Sequence, residues 1–289
     1  MTFRHRLALA APLTAIALAA PAASPGVERL AISTPMSDVR LAVSPDGRHF
    51  LWGVVDKGKL EIVESRLVDG SWTPPVPVSF NGDANDFDPA FAPDGRSVWF
   101  FSNRAGGAGG DDLYRVAFDP RTRSYGVPQN LGPTVNTAGN EWAPSLSPDG
   151  KTLLFSSNRP GGSGRQDLYI APLQGGRIGT PASLGPAIET GEDEFDATFA
   201  GSADTIVFTR GDAEGEAGTK LHLAVLRDGA WQDKGALPPE INCSTGLNIG
   251  PSVSHAGRFH WSAACGPGDT RLDLWSADLP FVLAGVARR

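Results

Sequence analysis

Cysteine is almost missing from this chain: 289 residues hold two, Cys243 and Cys265. Two thiols without histidines at ligand spacing do not make a zinc site. Histidine is nearly as scarce. Past the first ten residues only His49, His222, His255 and His260 remain. None stands in a nucleophile motif, so no catalytic residue is assigned, and His255 reads as a turn residue. Basic charge is in deficit, with 25 Lys and Arg against 32 Asp and Glu for a net −7. Nucleic acid needs a basic footprint and is excluded as a partner. Uninterrupted helix is lacking too, because 35 Gly and 24 Pro are spread evenly along the chain and each interior Pro would break a helical turn. That Gly and Pro content still falls short of a disordered composition. Short strands and turns remain, in a chain long enough for one large domain.

Only the first residues are strongly apolar. Arg4 and Arg6 precede a run from Leu7 to Ala20, followed by small residues through Ser24. This is the plan of a secretory signal peptide over residues 1–23, with cleavage expected near Ala22 to Ser24. The run is short for a bilayer span and is interrupted by Pro12. No Cys stands at the junction to carry a lipid. The expected product is periplasmic or secreted, has no membrane span after leader cleavage, and carries a net −9 once the two leader arginines are gone. In an oxidising compartment Cys243 and Cys265 are expected to form a disulfide.

Self-comparison gives the organisation. Leu41-Ala-Val-Ser-Pro-Asp-Gly47, Ala90-Phe-Ala-Pro-Asp-Gly95 and Ser145-Leu-Ser-Pro-Asp-Gly150 are near copies, and the stretches around Gly201 and His255 are weaker ones. Aligned on Pro45, Pro93, Pro148, Gly201 and His255, the units lie 48, 55, 53 and 54 residues apart, a period that belongs to propellers and solenoids. In each unit an alternating strand enters the turn and a second apolar strand leaves it. A Gly-rich loop, a third strand such as Asp112-Leu-Tyr114 or Asp167-Leu-Tyr169, and a weaker fourth follow. Four antiparallel strands per unit make one propeller blade. The first strands carry large apolar residues on one face (Val39, Leu41, Val43) and small or polar ones on the other (Asp38, Arg40, Ala42), so the apolar face is buried only by stacking against the next blade.

The expected fold is therefore all-β: a five-bladed β-propeller of four-stranded antiparallel blades over residues 27–280, with a C-terminal tail at 281–289. The last unit ends after its third strand, Asp273 to Ala277. The strand-like Glu28–Ser33 is expected to complete that blade and close the ring, with the tail from Phe281 to Val286 as the other candidate.

Ser147-Pro-Asp-Gly-Lys151, Phe155-Ser-Ser-Asn-Arg-Pro-Gly-Gly162 and Asp167-Leu-Tyr169 resemble the WD-like propeller repeat of the TolB type. The likeness is sharp in units two and three, degraded in four and five, and spans most of the chain. It implies an exported bacterial propeller that binds other proteins. Neither the extra N-terminal α/β domain of TolB itself nor an appended enzyme module is expected.

Seven residues before each anchor stand Asp38, Asp86, Glu141, Glu194 and Asn248, and five before stand Asp88 and Asp196. Innermost strands begin around one mouth of a propeller channel, so these groups are expected to line a ligand-binding concavity there, or else to cap backbone N–H groups at each blade junction. As a mouth they would take an envelope protein or peptide, or a glycan, and a carboxylate pair would serve glycoside hydrolysis. Arg104 and Arg159, in matching loops between second and third strands, either fix those loops or reach the ligand. No cofactor or metal is assigned. Calcium is the one ion the acids would suit, and Gly106–Asp111 resembles a single calcium nonapeptide whose spacing the equivalent loop misses. The expected function is a non-enzymatic binding scaffold, with a carbohydrate-active enzyme as the alternative.

Overall fold

A computed structural model describes residues 26–212, 218–243, 246–265 and 271–287. The expected leader, 1–23, lies outside them. Five antiparallel sheets follow one another along the chain and form a five-bladed β-propeller. The innermost strands are Ser37–Val43, Asp86–Phe91, Glu141–Leu146, Glu194–Phe199 and Asn248–Val253. Each pairs with a second strand, which pairs with a third.

Proline decides the fourth strands. In blades 1 to 3 they are split into two-residue pieces, Ser71–Trp72 with Val76–Pro77, Ser124–Tyr125 with Gln129–Asn130, and Arg177–Ile178 with Ala182–Ser183. Pro74, Pro75, Pro128 and Pro181 stand in the gaps, where the missing N–H is tolerated because the edge faces no further strand. Blade 4 has no proline in its fourth strand, and Ala230–Ala236 runs unbroken. Blade 5 is completed from the other end of the chain: Val27–Arg29 pairs antiparallel with Asp273–Asp278, Glu28 opposite Ser276. The N-terminal strand closes the ring. The C-terminal residues Leu279–Ala287 instead form a helix, which seats Leu279 and Val282 in the core shared by blades 4 and 5.

Each junction has its own apolar core, as radial stacking requires. Leu41, Trp52 and Leu274 lie between blades 5 and 1, Leu51, Ile62 and Phe100 between 1 and 2, and Trp99, Leu113 and Phe155 between 2 and 3. Leu154, Leu168 and Phe208 fill the next junction, and Leu221, Phe259 and Trp261 the last. The Pro-Asp-Gly turns are fixed locally: Gly47, Gly95 and Gly150 take positive φ, and Asp46, Asp94 and Asp149 accept the backbone N–H two residues on.

The simple alternation read from the first strands does not hold throughout. Arg40, Asp88, Ala143, Asp196 and Gly250, each five residues before its anchor, all have left-handed φ between 48° and 60°. At each the register with the second strand slips, between Val39 and Ala42 in blade 1 and at the same place in the other four. A residue with positive φ bulges its strand and turns its side chain out of the pleat. Five such bulges place Arg40, Asp88 and Asp196 at one level around the axis. At the fifth, a Cβ on Gly250 would come within 2.9 Å of the Arg40 nitrogen, so backbone contact as well as φ requires glycine there.

Candidate functional site

The axis of the ring has three levels. At the end where the innermost strands begin, Asp38, Asp86, Glu141, Glu194 and Asn248 are all fully buried. Each acid accepts the backbone N–H of the residue four before it: Thr34 at 2.6 Å, Gly82 at 3.1 Å, Thr137 at 2.9 Å and Thr190 at 3.0 Å. The three threonine hydroxyls donate to the same carboxylates. Asp38 also accepts Trp52 Nε1 at 2.8 Å; burial nonetheless holds its carboxyl above the usual range, against those hydrogen bonds. Asn248 bonds Thr219 through its backbone N–H and its side-chain amide.

The two predicted arginines join this collar. Arg104 donates to Asp86 at 2.6 Å and to the Phe80 carbonyl at 3.3 Å, over the Phe100 and Tyr114 rings. Arg159 donates to Glu141 at 3.3 Å and to the Val135 carbonyl at 2.7 Å, over Phe155 and Tyr169. Blade 4 has an equivalent that its degraded sequence concealed: Arg210 donates to Glu194 at 2.7 Å and to the Ile188 carbonyl, over Phe208. A second recurrence also escaped the sequence reading. One residue before the acids, Ser37, Asn85, Asn140 and Asp193 accept N–H groups of Leu272, Leu60, Asp111 and Arg165 from the preceding blade. The four acids thus spend their hydrogen bonds on their own entry loops and own-blade side chains, while Asn248 and the residues one before the acids tie each blade to the preceding one. The collar does not gather the five residues around an open mouth.

The middle level holds Arg40, Asp88 and Asp196, which are 2%, 5% and 6% exposed. Arg40 Nη2 crosses the axis to the carbonyls of Ala143, Pro144 and Ala197 at 3.4, 3.1 and 3.2 Å, while its Nε and Nη1 have no partner. Asp196 accepts the Gly250 N–H at 2.9 Å. Asp88 Oδ1 has none. Burial, reinforced by Asp196, pushes the Asp88 carboxyl well above the usual carboxylate range, with Arg40 pulling the other way. Burial raises Asp196 too, against Arg40 and the Gly250 N–H. The sequence had marked both acids but read Arg40 only as one polar residue of an alternating strand. The signal was the five-residue column itself, in which one basic residue stands with two acids.

Above this floor, at the Pro-Asp-Gly face, a cavity of about 260 Å³ is lined from all five blades. Its narrow ring is made of Ala42, Ala90, Ser145, Thr198 and Ser252, three residues before each anchor, and Leu279 of the helix borders it. Ser145 Oγ and Thr198 Oγ1 face each other at 3.4 Å, and the Ser252 hydroxyl donates to the Leu41 carbonyl. His255 stands exposed at the rim.

Elsewhere, Cys243 and Cys265 form the expected disulfide, Cα atoms 5.4 Å apart, across the strand-start end of blade 5. In the Gly106–Asp111 loop, Ala108 and Gly109 donate their N–H groups to Asp112. Among the described residues no three His, Cys, Asp or Glu side chains are grouped to hold a metal ion, and no helix is long and apolar enough to cross a membrane.

No family model and no curated protein sequence matches this chain. Solved structures do share its fold. TolB from Acinetobacter baumannii superposes with a TM-score of 0.51 at 16% identity, over 84% of this chain and 55% of that one. The endo-arabinase from Bacteroides thetaiotaomicron gives 0.56 at 14% identity, over 86% and 95%. The alpha-L-arabinofuranosidase from Lactobacillus brevis gives 0.55 at 12%, over 86% and 92%. The chain spans little more than half the length of that TolB. At such identities the likeness is one of fold, and the fold serves binding propellers and glycan-cleaving enzymes alike.

Proposed function

We propose that this protein is an exported, non-enzymatic binding scaffold whose docking site is the axial cavity at the Pro-Asp-Gly face. One observation carries the reading: that cavity is lined from all five blades, whereas the acids at the opposite end are fully buried and bonded within the collar. A concave, mainly apolar site with a few placed polar groups is the ordinary form of a ligand pocket. The TolB neighbour and the disulfide support an exported binding role.

Glycoside hydrolysis is the competing reading, supported by the arabinan-degrading neighbours. It needs a protonated acid and an ionised carboxylate that both reach the substrate. Asp88 and Asp196 are the axial acids available, and with 5% and 6% of their surfaces exposed they offer a sugar little approach.

The test is a photo-crosslinking residue placed in turn at Ala90 in the cavity ring, at Asn85 beside the collar and at Val127 on the outer rim, followed by exposure to an envelope extract of the source organism. Adducts at Ala90 alone are expected. Adducts centred on Asn85 would return the acidic end to consideration, and hydrolysis of an arabinan panel that stops in Asp88→Asn would favour the enzyme.

A further inference from the structure

One buried charged residue reaches the axial cavity, and it is short of acceptors. Resting on the reading that this cavity is the docking site, we propose that it holds a small free monocarboxylic acid, its carboxylate set on the guanidinium of Arg40 and its apolar body against the wall above.

The lining carries the sign. The chain has 32 Asp and Glu against 25 Lys and Arg, yet no described acid lines this cavity. Among the described residues its titratable side chains are Arg40 and, exposed at the rim, His255. Asp88 and Asp196 share the level of Arg40 but are not part of the cavity wall.

Arg40 has donors to give. It is 2% exposed, and its Nη2 is taken by the carbonyls of Ala143, Pro144 and Ala197, which bring no net charge. Nε and Nη1 have no partner. An unpaired buried donor is costly, and a charged one more so. Water would supply an acceptor alone, whereas a carboxylate supplies the acceptor together with the opposite charge. The acids at this level do not cancel the guanidinium in advance: burial holds the Asp88 carboxyl well above the usual carboxylate range, so it adds less negative charge than an ionised acid would. The wall also offers help to a second carboxylate oxygen. Ser145 Oγ and Thr198 Oγ1 lie 3.4 Å apart, long against the ~2.7–2.8 Å usual for O–H···O bonds, so either hydroxyl can turn to donate to an incoming oxygen.

The rest of the wall sets the body. Val43, Phe91, Leu146, Phe199, Val253 and Leu279 border the cavity with side chains that have no polar atom. A second charge on the ligand would be desolvated against them with no partner, which disfavours a dianion. At about 260 Å³ the cavity is larger than the ~150 Å³ that holds a benzene ring in an engineered core and smaller than the ~300 Å³ at which ordinary small-molecule pockets begin. It encloses the whole of an acid the size of hexanoate, which favours a free acid over the end of a longer chain.

The experiment titrates the full-length chain, after leader removal, at pH 7 with hexanoate, hexanamide, hexylammonium and succinate, and then with acetyl-Gly-Leu bearing a free C-terminal carboxylate. Hexanoate is expected to bind about tenfold tighter than hexanamide, the difference between a charge-assisted and a neutral hydrogen bond. Hexylammonium and succinate should bind at least tenfold more weakly than hexanoate, and acetyl-Gly-Leu more weakly as well. Arg40→Met should bind hexanoate no better than hexanamide. If that variant does not fold, Ala90→Leu should abolish hexanoate binding by filling the ring. Hexanoate binding unchanged in either variant places the acid elsewhere and overturns the proposal. Hexanamide or hexylammonium binding as tightly as hexanoate overturns the carboxylate while leaving the cavity as a docking site. Succinate binding as tightly overturns the apolar body, and acetyl-Gly-Leu outbinding hexanoate overturns the free acid. If no probe binds, the proposal falls, and crosslinking at Ala90 decides separately whether the cavity docks anything else.

Discussion

Arg40 Nη2 in the first blade lies 3.2 Å from the carbonyl oxygen of Ala197 in the fourth, 157 residues away. The same nitrogen reaches Ala143 and Pro144 in the third blade, and the Arg40 backbone N–H donates to Ser262 Oγ in the fifth. With Asp88 of the second blade facing it electrostatically, one residue engages the whole ring. A propeller closed by a three-residue strand has little backbone pairing at its seam, so a cross-axis link acts where the fold is thinnest.

Arg40→Met should therefore destabilise the ring although methionine packs readily. It removes three hydrogen bonds and leaves Asp196 buried without its compensating charge, a situation that costs about 3–5 kcal/mol. Urea unfolding of the variant and wild type checks this. A loss below about 1 kcal/mol would mean the guanidinium contributes little.

Asp88 should behave in the opposite sense. Its carboxyl is held well above the usual carboxylate range by burial first and Asp196 second. A group with a raised folded pKa contributes stability below its unfolded pKa, and that contribution is lost as pH rises through the folded one. Asp88→Asn removes the titration. Its stability relative to wild type should grow by about 1.4 kcal/mol per pH unit above pH ~4 until Asp88 ionises in the fold. Parallel unfolding curves from pH 4 to pH 7 give the difference directly, and a difference that is constant over the whole range contradicts the assignment.

Glu194→Gln tests the collar. Glu194 is fully buried and accepts from Thr190 twice and from Arg210. The neutral amide keeps the shape but leaves Arg210 short of a charge, so a loss of about 2–4 kcal/mol is expected. Occupancy of the axial cavity by a ligand should be unchanged in the surviving folded protein. A stable variant that had lost ligand binding would make the acid a contact residue.

How legible this was from the sequence depends on whether the repeat or an exception to it carried the information. Pro45, Pro93 and Pro148 with their Asp-Gly partners gave the period, and from it the blade count and ring closure, because each copy has the same local turn chemistry. The acid column was equally visible. Its environment was not, since Thr34, Thr137 and Thr190 act only once the loop folds back four residues. Arg210 was missed because it sits on the second strand itself, two residues earlier than the loop position of Arg104 and Arg159. The bulge was hidden because Arg40 and Asp88 fit the small-or-polar side of an alternating strand as well as they fit a left-handed kink. The cavity depends on three hydroxyls and two alanines whose value lies in being small, and small residues carry almost no periodic signal.

The disulfide should stabilise the blade that closes the ring. Cys243 and Cys265 are 22 residues apart, and cross-linking a loop of that size removes unfolded-chain entropy worth about 3 kcal/mol. Replacing both cysteines with serine should lower the unfolding free energy by that order. Reductant should produce the same shift in wild type and none in the double variant. An equal response in both would place the effect elsewhere.

Acid should attack blade 5 through His260. The ring is 5% exposed, neither nitrogen has a partner, and burial, with Arg258 adding to it, lowers the pKa from 6.5 to about 3. A depressed folded pKa gives stability that is whole above the unfolded value and falls as the unfolded chain gains a proton that the fold refuses. The loss opens near pH 6.5 and continues toward pH 3, at about 1.4 kcal/mol per unit, so near pH 4.5 it reaches about 3 kcal/mol. His260→Gln keeps a side chain of similar size without the titration, and its stability relative to wild type should rise across that window and stay level above it. The comparison also separates His260 from Glu64, whose carboxyl is lowered by hydrogen bonds from His49 and Tyr125 that outweigh its burial. Glu64 loses its contribution only as pH falls below the ordinary carboxylate range, in wild type and variant alike. A slope between pH 6.5 and 5 that survives in His260→Gln would show that another group takes up the proton.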